Sequence, residues 1–107
     1  MEKFIDGKKY DTATATEIVS YDNGKLPMEE YEETLYKTKK GAFFLWKGGG
    51  AQSCMGIRDG NSSHMSSDIV ALKEYEAREW LQSRANDLGT EEFERAAKIL
   101  GVEILEA

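Results

Sequence analysis

The spacing of apolar and polar positions changes character about two thirds of the way along the chain. Early on, apolar residues alternate with polar ones or fall in short β-branched and aromatic runs. From Leu72 onward they recur every three or four positions. Lys3-Phe4-Ile5 and Lys8-Lys9-Tyr10-Asp11 flank Asp6-Gly7. That pair suits a type I′ turn, since glycine takes positive φ without strain, and the segment predicts a small hairpin. Thr12–Tyr21 is β-branched at Thr12, Thr14, Thr16, Ile18 and Val19, which predicts a strand ended by the turn Asp22-Asn23-Gly24. A short helix across Ala13–Ser20 is the competing reading of that segment.

The central segment Tyr31–Gly50 predicts a second hairpin with its turn at Lys39-Lys40-Gly41. On its first strand Tyr31, Glu33, Leu35 and Lys37 share one face, and Glu32, Thr34, Tyr36 and Thr38 the other. On its second, Phe43 and Leu45 oppose Ala42, Phe44 and Trp46, so both faces are apolar. A strand in the middle of a sheet, covered by helix on one side, has this pattern. Leu26–Glu33 carries Glu29, Glu30, Glu32 and Glu33 and reads as a loop or one helical turn after Pro27, its charges a solvated face. Gly48–Asp68, rich in glycine and serine, reads as a long flexible loop with a short strand inside it at Cys54–Arg58.

Leu72, Tyr75, Ala77, Trp80, Leu81, Ala85 and Leu88 predict a helix over Lys73–Asn86, with Glu74 and Arg78 placed for an i,i+4 pair. Gly89 breaks it. Thr90 is a suitable N-cap for a second helix, Glu91–Leu100, with the stripe Phe93, Ala96, Ala97, Leu100 and a C′ glycine at Gly101. Strands followed by helices predict an α+β fold: an antiparallel sheet of about four or five strands with two C-terminal helices on one face.

A chain of 107 residues is one domain by size. The sheet part covers about 1–60, and the helices about 73–100. Four Phe, five Tyr and two Trp supply a core and argue against disorder. No apolar run is long enough for a membrane span, and the start shows no signal-peptide pattern. The lone Cys54 has no internal partner, which fits a cytoplasmic setting.

The net charge of −6 is unevenly spread. Residues 1–65 hold ten acids against nine bases, and residues 66–107 ten acids against five. Within Thr34–Lys47 there are four lysines and no acid. The helical half therefore repels phosphates, and a basic protein groove is its natural partner. The hairpin is different. Lys37, Lys39 and Lys40 beside Tyr36 and Trp46 have the mix of cation and aromatic that binds single-stranded nucleic acid.

Reactive chemistry has little support. His64 sits among Ser62, Ser63, Ser66 and Ser67, with Asp59 and Asp68 nearby, but triads are recognised by geometry and not by adjacency. Cys54 with His64 lacks a nucleophile elbow or helix start around the thiol. One Cys and one His build no structural zinc site, and no calcium-loop pattern is present. Gly48-Gly49-Gly50 follows a strand but lacks the Gly-Lys-Ser/Thr of a phosphate loop, and reads as a strand exit or a point of close backbone approach. No catalytic residue, cofactor or metal is expected.

Tyr10-Asp11-Thr12, Glu32-Glu33-Thr34-Leu35-Tyr36-Lys37-Thr38-Lys39-Lys40-Gly41-Ala42-Phe43-Phe44, Gly48-Gly49-Gly50-Ala51 and Glu76-Ala77-Arg78-Glu79-Trp80-Leu81 resemble a group of small bacterial proteins found in phages, plasmids and integrative elements. The resemblance spans about residues 8–82 and carries no catalytic residues with it. It implies a setting, that of a mobile-element accessory protein. Lys73 stands where similar proteins have a Ser/Thr helix cap.

From these features the expected function is non-enzymatic: inhibition or modulation of a host nucleic-acid-handling complex, in the manner of an anti-CRISPR protein. Glu74, Glu76, Glu79, Glu91, Glu92 and Glu94 would form an acidic decoy for a basic groove on a host protein or ribonucleoprotein. The alternative is a small regulator that binds nucleic acid through Tyr36, Lys37, Lys39, Lys40 and Trp46.

Overall fold

The structure, a computed structural model, describes residues 1–60 and 62–107, without the side chains of residues 59 and 62–64. The fold is α+β. In chain order it comprises β1 (Glu2–Ile5), β2 (Lys8–Asp11), β3 (Thr16–Asp22), β4 (Tyr31–Lys37), β5 (Phe43–Gly49), β6 (Ile57–Asp59), β7 (Ser62–His64) and β8 (Ser66–Leu72). Helices α1 (Glu74–Ser83) and α2 (Thr90–Leu100) follow. All pairings are antiparallel. β3-β4-β5-β8 form the main sheet, and β1-β2 and β6-β7 are separate hairpins.

Both faces of the main sheet are covered, as the apolar pattern of β5 requires. Phe43 and Leu45 turn to one face, where with Ile18, Val19 and Leu35 they meet Ala77 and Leu81 of α1 and Ala96, Ala97 and Leu100 of α2. Ile18 and Val19, although adjacent, are both buried there, because a bulge between Glu17 and Val19 breaks the alternation of β3. On the other face Phe44 and Ile69 lie under the N-terminal hairpin. The Tyr10 ring meets Phe44 edge-on at 5.7 Å, and Tyr36 stacks on Phe44 at 5.0 Å. Lys3 fixes this hairpin by bonding Asp68 Oδ1 at 2.7 Å. A hairpin of two four-residue strands has no core of its own, so its order depends on this docking.

Several local details differ from the sequence reading. The strand expected from Thr12 starts at Thr16, because Asp11 caps a turn through its carboxylate to Ala13 N (2.9 Å) and its carbonyl to Ala15 N (3.1 Å). The loop expected over 48–68 is largely paired. Gly48 and Gly49 continue β5, β6 pairs with β7, and Ser66–Leu72 forms the sheet's last strand. Glycine and serine give no periodic signal, whereas the ladder to β5 satisfies their backbone groups. Leu72, counted into the helical stripe, is the last residue of β8. Thr90 is the first helical residue and Gly89 the N-cap. At the far end Gly101 has φ 71°, and Val102 N returns to Ala97 O at 2.8 Å, closing the helix as expected. Asp6 and Gly7 both have positive φ, 51° and 74°, as a type I′ turn demands.

Candidate functional site

The helices form one layer over one face of the sheet; Arg84 and Arg95 tie it to the strands, and Arg78 joins α1 to the end of α2. Arg84, the C-cap of α1, bonds the buried Glu33 carboxylate on β4, with Nε at 2.9 Å. Trp80 Nε1 (3.2 Å) and Tyr31 OH (2.8 Å) donate to the same carboxylate. Arg78 holds Leu100 O at 2.8 Å through Nε and pairs with Glu74 at 2.7 Å, while Arg95 holds Ile18 O at 3.0 Å. Of the expected acidic face, Glu74 is thus ion-paired, and Glu76 caps α1 by accepting from Lys73 N at 2.9 Å. Glu79, Glu91, Glu92 and Glu94 remain exposed on the outer side, with Lys98 among them.

The basic hairpin does not form one patch. Strand alternation divides it. Lys37 faces the helix side, its ammonium 5.6 Å from the Phe43 ring centre. Tyr36 is half-buried on Phe44 on the opposite face. Trp46 lies over Gly48, where a Cβ would strike the indole, and lines a cavity of about 380 Å³ with Pro27, Glu30, Glu32 and Met65. Only Lys39 and Lys40 project from the turn. There the structure adds two lysines that the sequence reading did not single out: Lys8 and Lys9 of β2 line one groove with Lys39 and Lys40. The available signal was a repeated arrangement, a lysine doublet beside each of two hairpin turns.

The other end of the sheet is acidic. Asp22 and Glu32 are direct cross-strand partners, and with Glu30 they bring carboxylate oxygens within 4.8 Å of one another. A hydrogen bond with Glu30, burial and the neighbouring negative charges push the Glu32 carboxyl up to about 7. A cation could be held by such oxygens, and a proton shared between Glu30 and Glu32 satisfies them equally.

Cys54 is exposed beside Tyr31, Gln52 and Ser53. Asp68 is engaged by Lys3, which with the Ile69 backbone holds its carboxyl below the usual range. The side chains of His64, Ser62, Ser63 and Asp59 lie outside the described residues, and with them both the Ser–His–acid and Cys54–His64 readings. Among the described residues no helix is long and apolar enough to cross a membrane. No protein-family model matches this chain, and no curated protein or solved structure matches it either.

Proposed function

We propose that this protein is a non-enzymatic modulator of a nucleic-acid-handling complex, docking its helical layer against a basic groove on a protein of that complex. One observation carries the reading. Arg78, Arg84 and Arg95 are all turned onto protein carbonyls or carboxylates, while Glu79, Glu91, Glu92 and Glu94 stay exposed. The outer side of the layer therefore presents more acids than bases: Arg84 is taken up by Glu33 and Arg78 by Glu74, and Arg95 and Lys98 are the cations exposed beside these four acids. Carboxylates on a rigid layer attract a basic groove and present charge where a phosphate row would lie. The mobile-element setting, and an anti-CRISPR-like role within it, rest on the sequence resemblance.

The test is a pull-down from host lysate after nuclease treatment, comparing the wild type with a variant carrying Glu79→Lys, Glu94→Lys, Glu91→Gln and Glu92→Gln. Glu91 and Glu92 are only neutralised because they lie in the favourable first turn of α2. The expected result is a basic protein retained by the wild type and lost by the variant. Equal capture by both, or recovery of nucleic acid alone, sinks the reading.

A further inference from the structure

The two hairpin turns at the basic end converge on one groove. Lys8, Lys9 and Tyr10 come from β2, and Thr38, Lys39 and Lys40 from the β4–β5 connection, around a cavity of about 550 Å³. Its single carboxylate is Asp11. The Lys9 ammonium answers it at 3.9 Å and takes Glu2 at 3.0 Å, so that charge is neutralised locally. Lys8, Lys39 and Lys40 are exposed and make no ion pair among the described residues. Thr38 adds a hydroxyl that accepts from Ala42 N at 3.0 Å and keeps its own proton for a ligand.

Three uncompensated ammonium groups on flexible stems suit phosphate oxygens, which they meet as point charges. The groove offers no exposed aromatic face, because Tyr10 is only 8% exposed and packs on Phe44. Contact is therefore to the backbone of a ligand and not to its bases. The cations come from two separated turns on either side of a cleft, an arrangement that follows a chain of anions laid through it. The acidic groups Asp22, Glu30 and Glu32 at the opposite end of the sheet orient the molecule so that this end meets phosphates first.

We infer that the groove between the two hairpin turns binds the phosphodiester backbone of a single-stranded nucleic acid through Lys8, Lys39 and Lys40. This site is separate from the helical layer and does not rest on the docking reading. The experiment uses the whole protein, a fluorescent 15-nucleotide oligothymidylate and anisotropy. With three phosphates neutralised, the log–log salt slope is expected near −2, roughly twentyfold weaker binding between 50 and 200 mM salt. The variant Lys8→Ala/Lys39→Ala/Lys40→Ala should weaken binding at least tenfold and flatten the slope. Lys98→Ala on α2 should change neither. The doublet Lys39→Glu/Lys40→Glu, in a turn outside the strand ladder, gives an independent loss if the triple variant folds poorly. No binding at 50 mM salt, wild-type binding by both lysine variants, or competition by thymidine monophosphate as strong as by the oligomer would each overturn the inference; the last would make the groove a small-molecule phosphate site.

Discussion

Arg84 and Glu33 lie 51 positions apart, yet the guanidinium of one closes on the carboxylate of the other across the helix–sheet boundary. Glu33 is 5% exposed on β4, and Arg84 also covers the Tyr21 ring at 3.9 Å. Removing one member of a buried pair leaves the other charge without its partner, at about 3–5 kcal/mol when nothing else satisfies it. Here Tyr31 and Trp80 remain as donors, so Arg84→Met is expected to cost less, about 2–3 kcal/mol. The double variant Arg84→Met/Glu33→Gln should recover part of that loss. Urea unfolding of the single and double variants measures both, and strict additivity would refute the coupling.

The same carboxylate sets the acid limit. Burial pulls the Glu33 carboxyl upward, but hydrogen bonds from Tyr31, Arg84 and Trp80 outweigh it, and the net shift is downward. A depressed carboxyl contributes stability above its ordinary titration range and loses it as pH falls through the folded-state value. Wild-type melting temperature should therefore drop below about pH 4, and Glu33→Gln should show a shallower drop from a lower starting point.

Glu32 acts in the opposite sense. Its raised carboxyl, at about 7, contributes stability that is complete below the ordinary carboxylate range and is lost as pH rises through 7. The group is partly solvated, so the loss should be below about 1 kcal/mol. Melting temperature should fall by a few degrees between about pH 5 and pH 7.5 in the wild type and stay level in Glu32→Gln. An equal fall in both would remove Glu32 as its source.

Gly50 sits where the chain leaves β5, and a Cβ there would strike the carbonyls of Pro27 and Met28. Both obstacles are backbone and cannot rotate away. Gly50→Ala should destabilise by about 1–3 kcal/mol, the usual cost of forcing extra volume into a filled site. Gly60→Ala, with no described atom within 4 Å of the added Cβ but φ 59°, tests left-handed strain instead of crowding. Chemical denaturation of the two separates the causes.

Tyr10 is the pin of the N-terminal hairpin. Tyr10→Ala should raise amide exchange in β1 and β2 while leaving α1 and α2 protected, since the two cores lie on opposite faces of the sheet. Loss of protection in the helices as well would show that the faces fold as one unit.

Much of the fold and part of the charge pattern could be read locally. The double-sided apolar run of Phe43–Trp46 demanded a covered central strand, Asp6-Gly7 demanded a tight turn, and the 3.6-residue stripes of α1 and α2 demanded a common apolar face. Each follows from side-chain period or backbone sterics within a few residues. β8 was hidden because Ser66-Ser67-Asp68 alternates no apolar residues, and its pairing with β5 is a long-range contact.

The sequence by itself determined most of the elements, though not β7 or β8, together with the uneven distribution of charge and the exposure of the outer helix acids, because periodicity and composition are properties of neighbouring residues. Tertiary structure alone decided which charges remain available. It turned Arg84 onto the buried Glu33, engaged Arg78 and Arg95 with the carbonyls of Leu100 and Ile18, and joined the Lys8-Lys9 and Lys39-Lys40 doublets in one groove. Those outcomes depend on strand register and on which hairpin covers which face, and both are set by contacts between residues far apart in the chain.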